Sequence, residues 1–246
     1  MFRQFRQVLR DFGWLDSALY ALERALAKTT GGWAHIERFL IVAQPLTDKP
    51  LLPPGRGRKI DVTGIGPEHA ITSSFPRPPT VIRQRYDQGA VCFAATRDNR
   101  FVGFIWLVTG AYNEDVVRAR YLLPPSGKTA WDFDVYVVPE ERLGFTFPRL
   151  WDTAYEYLRE KGIRWSLSRI SAFNPASLAA HRRLGARRIG SATFLLLGGA
   201  QLMLSSFRPY LHLSLRRSVP AVLRLSSPET EDKRDQAASR NGVTPP

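Results

Sequence analysis

The stretch NPASLAAHRRLGA, residues 174–186, carries the signals of a short helix with two well-defined ends. Asn174 is a preferred residue just before a helix, proline is favoured in the first turn, and a glycine such as Gly185 commonly follows the last turn. Between these signals lie several alanines and one histidine, His181. Small side chains permit close contact, so this helix is expected to lie against a sheet or a ligand.

A second helix start lies upstream, in VVPEERLGFTFPRLW, residues 137–151, where Pro148 marks the first turn. It follows TAWDFDVYVV, residues 129–138, which alternates as a strand does. From residue 59 onward the patterns predict the order β-α-α-β-β-β-α-β-α-β-β. This order predicts an α/β protein with a mixed sheet and helices on both faces.

In this order, the two helix starts resemble those of the GNAT superfamily of acyl-CoA-dependent N-acyltransferases, over about residues 59–205. The glycines of the family's strand-to-helix motif fall here on Phe145 and Phe147. In the second motif, His181 replaces the family's tyrosine and Ala186 its phenylalanine. The residues that match the two motifs are Val137, Pro139, Arg142, Asn174, Leu184 and Gly185.

The resemblance implies that the loop after residue 138 wraps the pyrophosphate of acyl-CoA with backbone N–H groups. A helix N-terminus suits an anion because its N–H groups are unpaired and its dipole is positive there. The pantetheine arm would pair with the preceding strand. Asn174 would help to hold it, or would only cap its own helix. The implied cofactor-binding residues are Tyr136, Val137, Val138, Arg142, Leu143, Gly144, Phe145, Thr146, Phe147 and Asn174. The alternative for Phe145 and Phe147 is that they only pack the helix start.

Acyl transfer to an amine requires a group that removes a proton, and a carboxylate is the usual one. Asp132 and Asp134 are two residues apart on one strand, which predicts that both point to the same face. The resemblance implies an acidic base near this place, with Asp132 as first candidate and Asp134 as second. Structural hydrogen bonding is the alternative. His181 would protonate the leaving thiolate or be purely structural. No metal ion is expected.

The positive charge of the chain is concentrated toward its C-terminal end. The net charge is +13, and residues 161–228 contain eleven Lys or Arg and no Asp or Glu. Such a surface attracts a nucleotide, a nucleic acid or anionic lipid headgroups. No nucleic-acid-binding motif accompanies the charge, so nucleic acid is not an expected partner. The single cysteine, Cys92, excludes an intramolecular disulfide and fits a cytoplasmic location.

The two ends of the chain extend the GNAT-like segment, residues 59–205. Residues 1–50 are predicted to form an amphipathic helix and a strand, because apolar residues recur every three or four positions in residues 1–30. The helix either packs on the core or lies on a membrane surface. Residues 206–225 form a basic amphipathic segment. Residues 226–246 are polar and predicted to be disordered. No apolar run approaches the roughly 18 residues that cross a membrane.

These features predict a peripheral protein on the inner, cytoplasmic face of the cell membrane. The predicted function is transfer of a long acyl group from acyl-CoA to the amine of a lipid such as a sphingoid base, as in ceramide-forming bacterial GNAT-like enzymes. The partners would be acyl-CoA, a lipid amine and an anionic membrane surface. One alternative is a short-chain N-acetyltransferase acting on a soluble amine. The other is a non-catalytic GNAT-like module that binds through its basic face.

Overall fold

The computed structural model describes residues 2–216 and 219–229, with side chains from Trp14 onward. In chain order the helices are α1 Phe2–Thr30, α2 Pro79–Asp87, α3 Thr146–Glu160 and α4 Pro175–Arg183. The strands are β1 Ala34–Pro45, β2 Asp61–Ile65, β3 Val91–Arg97, β4 Arg100–Val108, β5 Ala111–Asn113, β6 Ala119–Leu122, β7 Thr129–Val137, β8 Trp165–Ser171, β9 Arg187–Leu197, β10 Ala200–Ser205, β11 Leu211–Ser214 and β12 Ala221–Arg224. Two 3-10 helices span Ala70–Ser74 and Pro139–Glu141.

The described chain forms two compact units. Of the described residues, the first unit contains those within 2–44, 113–122 and 169–229, and the second contains 45–112 and 123–168. The predicted segment boundaries at residues 50, 59, 205 and 225 stay predictions. Residues 230–246, most of the predicted disordered tail, lie outside the described residues.

The second unit contains the strand–helix–strand arrangement that the motifs predict. Its strands lie in the order β2-β3-β4-β7-β8. The first three pairings are antiparallel, whereas β7 and β8 are parallel and joined by α3. The predicted α/β class with a mixed sheet is therefore confirmed. Between β4 and β7 the chain also forms two short strands, β5 and β6, which the sequence patterns did not predict. It also places Ala70–Ser74 in a 3-10 helix where an α-helix was expected.

α3 is fixed on the sheet of the second unit by one apolar face. Leu150, Trp151, Ala154 and Leu158 recur at helical spacing and are fully buried. Each large side chain contributes about 1.5–3 kcal/mol when removed from water. Gly103 on β4 permits this close contact. A Cβ at Gly103 would lie 2.5 Å from the Tyr136 carbonyl oxygen and 3.3 Å from α3 side chains.

The first unit contains an antiparallel sheet in which β1, β9, β10 and β11 are neighbours in that order. β1 thus lies beside β9 although 140 residues and more separate them in sequence: Ala34 pairs with Leu197, and Ala43 with Arg187. β6 and β12 form a separate parallel pair. The predicted N-terminal helix is confirmed as α1, which continues through Gly13. None of the described helices is both long enough and apolar enough to cross a membrane.

Candidate active site

One edge of β7 is paired along only part of its length. The parallel ladder joins Thr129–Asp132 to Trp165–Ser168, yet β7 continues to Val137. Among the described residues, no strand pairs with this edge beyond Asp132. The Val138 N–H donates to the Val102 oxygen of β4, so by alternation Val135 and Val137 turn their backbone groups to the opposite, open edge. An extended amide-containing molecule fits such an edge as an added strand does.

The open edge leads directly into the start of α3. After β7 the chain makes one 3-10 turn, and Arg142 Nε donates to the Val137 carbonyl oxygen at 3.2 Å. Within the described part of the chain, the N–H groups of Leu143, Phe145 and Thr146 have no hydrogen-bond acceptor. These N–H groups and the helix dipole make the start of α3 suitable for an anion.

The side chain of Glu141 stabilises the start of α3. Its carboxylate accepts from Arg97 Nη1 at 2.7 Å and from the Thr146 hydroxyl at 3.3 Å. A carboxylate beside the first turn of a helix interacts favourably with the helix dipole. Glu141 therefore has a structural role at the position that immediately precedes Arg142. The sequence contains no distinctive signal for this ion pair, because Arg97 lies 44 residues away on β3.

The two phenylalanines occupy their positions without backbone strain. Phe145 is the residue before α3 and has φ −97°, an ordinary value for a residue with a side chain. Phe147 packs edge-on against Trp151 one turn later, with ring centroids 6.4 Å apart. The helix start thus forms without the family's glycines. Phe147 packs α3, and Phe145, which is partly exposed, lies under the guanidinium of Arg56 at 5.7 Å.

The expectation that Asp132 and Asp134 share a face is wrong, because β7 has a bulge between them. Asp134 lies opposite Trp106 and Asp132 lies opposite Leu107, which leaves Phe133 as the extra residue. Trp106 and Leu107 are consecutive on β4 and so face opposite sides of the sheet. The two carboxylates therefore also point to opposite sides.

Asp132 is a buried carboxyl at the last rung of the β7–β8 ladder. It is 2% exposed, and its Oδ1 accepts a 2.5 Å hydrogen bond from the Ser166 hydroxyl. Burial raises the pKa of Asp132 to about 7, although hydrogen bonds from Ser166 and Ser168 lower it in part. A carboxyl group with a pKa near neutrality exchanges a proton readily at physiological pH.

Asp134 is hydrogen-bonded to two arginines on the other side of the sheet. Arg77 donates to both carboxylate oxygens, at 2.7 and 2.8 Å, and Arg85 Nη1 donates to Oδ2 at 2.7 Å. Three hydrogen bonds from arginine thus occupy both carboxylate oxygens of Asp134. Of the two candidates, Asp132 therefore has the better environment for a base. Sequence reasoning missed both arginines.

In the first unit, Asn174 and His181 both stabilise α4. Asn174 caps the helix, since its Oδ1 accepts from the Ser177 N–H at 3.1 Å. His181 is the buried residue of the helix, and its Nδ1 lies 3.2 Å from Gln44 Oε1 of β1. Burial lowers the pKa of His181 to about 4, so the imidazole is neutral at physiological pH. A neutral ring has no imidazolium proton to give to a leaving thiolate.

The pH dependence of folding tests this description of His181. Its folded pKa of about 4 lies below the ordinary 6.5, so the unfolded chain binds the proton first as the pH falls. Relative to His181→Gln, the wild type is expected to lose stability between pH 6.5 and pH 4. The full loss is on the order of 3 kcal/mol. Urea unfolding across this range measures it. A constant difference would show that the folded protein protonates His181 normally.

No protein-family model matches the chain, and no curated protein matches it. It is similar to a functionally unknown conserved protein from Staphylococcus epidermidis, at 13% identity over 70% of this chain and 66% of that one, with a TM-score of 0.49. It is also similar to a protein described as a GNAT-family acetyltransferase from Novosphingobium aromaticivorans, at 14% identity over 66% of each chain, with a TM-score of 0.44. An aminoglycoside N-acetyltransferase solved with CoA is similar at 18% identity over 55% of this chain and 91% of that one, with a TM-score of 0.40. The chain thus spans just under two thirds of the first two proteins.

The structure distributes the sequence-derived site residues over both units. Residues 132–147 in the second unit form one continuous set: a buried carboxyl, an open strand edge and a helix start. Asn174 and His181 belong to the first unit. Among the described residues, no three or more His, Cys, Asp or Glu side chains lie together in a way that could hold a metal ion.

Proposed function

We propose that the protein is an acyl-CoA-dependent N-acyltransferase. The observation that supports this best is the open edge of β7, which runs from Asp132 directly into the unpaired N–H groups at the start of α3. Acyl-CoA combines an extended diamide arm with a pyrophosphate. The open edge offers hydrogen bonds to the arm, and the helix start offers a site for the pyrophosphate.

In the proposed mechanism, Val135 and Val137 align the pantetheine arm, and Leu143, Phe145 and Thr146 bind the pyrophosphate through their N–H groups. The neutral amine attacks the thioester carbonyl carbon, the C–S bond breaks, and an amide and the CoA thiolate form. Asp132 accepts the proton that the amine nitrogen loses, and this proton then neutralises the thiolate. Arg142, whose Nε now contacts the Val137 oxygen, orients the loop. His181 supports α4.

We further propose that the acceptor is a lipid amine. This part of the proposal is supported by the way α1 lies on the first unit. Asp16 pairs with Arg38, and Glu23 accepts from the Ile36 N–H, so polar side chains of α1 face the sheet. Trp14, at 78% exposure, and Leu22, at 49%, are left outside. Part of the apolar surface of α1 is therefore exposed, whereas Leu19 and Leu26 are half-buried.

The sheet beneath α1 continues into an exposed leucine face. Arg38 Nη1 donates to the Thr193 hydroxyl, which places Thr193 on the face that α1 covers. Leu195 lies two residues on and so shares that face. Residues paired across neighbouring strands lie on the same face. Leu195 pairs with Leu202, which pairs with Leu213, and Thr193 pairs with Leu204, which pairs with Leu211. Leu204, Leu211 and Leu213 are 55–61% exposed. We call this surface the leucine face; its six residues are Thr193, Leu195, Leu202, Leu204, Leu211 and Leu213.

The first unit also carries exposed basic side chains. Arg24 and Lys28 on α1, and Arg208 and Arg216 beside β11, are exposed. Exposed apolar side chains together with exposed cations are typical of proteins that lie on anionic bilayers. We propose that the first unit docks there, on the cytoplasmic leaflet, and gives the protein access to long-chain acyl groups and lipid amines such as sphingoid bases.

Binding and turnover test this function. The purified protein is expected to bind palmitoyl-CoA and to acylate sphinganine in anionic vesicles, measured by calorimetry and by mass spectrometry of the product. Equal use of acetyl-CoA with soluble amines would identify a short-chain N-acetyltransferase. Binding of acyl-CoA without turnover of any amine would identify a non-catalytic module, and absence of acyl-CoA binding would contradict the proposal.

Val135→Pro tests the open edge directly. The substitution removes an N–H that faces the open side, so the β4–β7 ladder keeps its hydrogen bonds. Affinity for CoA is expected to fall by about threefold to tenfold, the effect of one hydrogen bond. Val135→Ala, which keeps the N–H, is the control and should bind like the wild type. Equal loss in both variants would show that the side chain matters and the backbone does not.

A further inference from the structure

The loop between β1 and β2, residues 46–60, lies along the outer side of α3 within the second unit. The Leu51 N–H donates to Asp152 of α3 at 2.7 Å. The loop then turns at Gly55 and Gly57, whose φ values of +85° and +70° favour glycine. A Cβ at Gly57 would lie 2.8 Å from Arg149 Cγ, so the loop packs tightly against the helix. The loop reaches the start of α3, where Arg56 lies over Phe145.

Loop and helix line an open pocket of about 750 Å³. Its walls are the carbon-rich side chains of residues 51–54, two leucines and two prolines. Its charged lining consists of Lys49, Arg56, Arg58, Arg149 and Asp152, which is four cations and one carboxylate. Asp152 already accepts from the Leu51 N–H. The Nε of Arg149 is buried and has no hydrogen-bond partner among the described residues.

Apolar walls with a surplus of cations match the chemistry of a phosphorylated nucleoside. The flat nucleobase would pack against the apolar walls of the pocket. A phosphomonoester carries a charge of about −1.5 to −2 at neutral pH and would bind the cations. Arginine binds such a group through a planar fork of N–H donors. We propose that this pocket binds the 3′-phosphorylated adenosine end of acyl-CoA, with Arg56 and Arg58 on the 3′-phosphate. This inference rests on the proposed function, because it assigns the other end of the same substrate.

The proposal also gives Phe145 a function that glycine would lack. Its ring lies 5.7 Å from the Arg56 guanidinium, within range of a cation–π interaction. Phe145 also contributes one of the unpaired N–H groups at the start of α3. One residue thus places a cation of the pocket next to the pyrophosphate site. The pocket and the helix start then form one continuous site for the nucleotide half of the substrate.

The experiment compares CoA with dephospho-CoA by calorimetry. The wild type is expected to bind CoA about 10- to 100-fold more tightly, the difference typical of a charge-assisted contact to phosphate. In the double variant Arg56→Ala/Arg58→Ala this ratio should fall to near one. Arg83→Ala/Arg100→Ala is the matched control: both arginines are exposed in the same unit and outside the pocket, so the ratio should be unchanged.

The outcomes separate this inference from the proposed function. A wild type that binds CoA and dephospho-CoA equally, or a double variant that keeps the ratio, overturns the inference and leaves the acyltransferase standing. A wild type that binds neither overturns both. Vesicles of phosphatidic acid test a lipid source of the phosphate. If the double variant loses vesicle binding and keeps the CoA ratio, the pocket binds lipid phosphate and the nucleotide assignment is wrong.

Discussion

Replacing Asp132 by asparagine is expected to lower kcat by about 100- to 10,000-fold, the usual contribution of a general base. Asparagine matches the carboxyl in shape, and its amide oxygen still accepts from the Ser166 hydroxyl. The variant cannot accept a proton. Because burial raises the pKa of Asp132 to about 7, wild-type kcat is expected to rise through that pH and then level off. Steady-state kinetics as a function of pH measures both effects.

Ser166→Ala is the matched control for the role of Asp132. The Ser166 hydrogen bond lowers the pKa of Asp132, so its removal should move the rise in kcat to higher pH and keep the plateau. A purely structural carboxyl would not connect a serine substitution to the pH profile. Wild-type turnover in Asp132→Asn, with an unchanged profile, would show that Asp132 only joins β7 to β8.

The sequence predicted the elements whose signals are local. Asn174, Pro175 and Gly185 define α4 as the structure has it, from Pro175 to Arg183. Pro148 predicted α3 only approximately, because the helix begins two residues earlier, at Thr146. Each of these signals acts through a backbone preference of a few adjacent residues, which is why a single sequence contains them.

The features that the sequence did not predict depend on distant partners. The bulge at Phe133 shows only in the register between β7 and β4, and alternation alone gave the wrong face for Asp134. The partners of Asp134, Arg77 and Arg85, lie 57 and 49 residues away. The sequence also did not predict the orientation of α1. Periodicity identifies its apolar stripe, but the contacts of Arg38 with Asp16 and of the Ile36 N–H with Glu23 determine which side of α1 faces the sheet.

The triple variant Leu204→Ser/Leu211→Ser/Leu213→Ser is expected to partition about 100-fold less strongly into anionic vesicles. Each leucine is more than half exposed in the structure, and moving part of such a side chain into the bilayer gains about 1 kcal/mol. The three substitutions together therefore remove about 3 kcal/mol of binding free energy, which corresponds to roughly a 100-fold weaker partition. Vesicle sedimentation measures the partition. Val116→Ser is the control. Val116 is another exposed apolar residue of the first unit but lies outside the leucine face, so this variant should bind vesicles like the wild type.

The same variant separates docking from catalysis. Asp132, β7 and α3 all belong to the second unit, so kcat for a soluble amine should be unchanged while turnover of a vesicle-bound amine falls with the partition. Unchanged partition would show that the leucine face does not contact lipid. A wild-type dimer that the variant converts to a monomer would identify the face as an interface between copies. Raising the salt concentration should also weaken vesicle binding of the wild type, because salt screens the exposed cations of the first unit and does not screen the leucines.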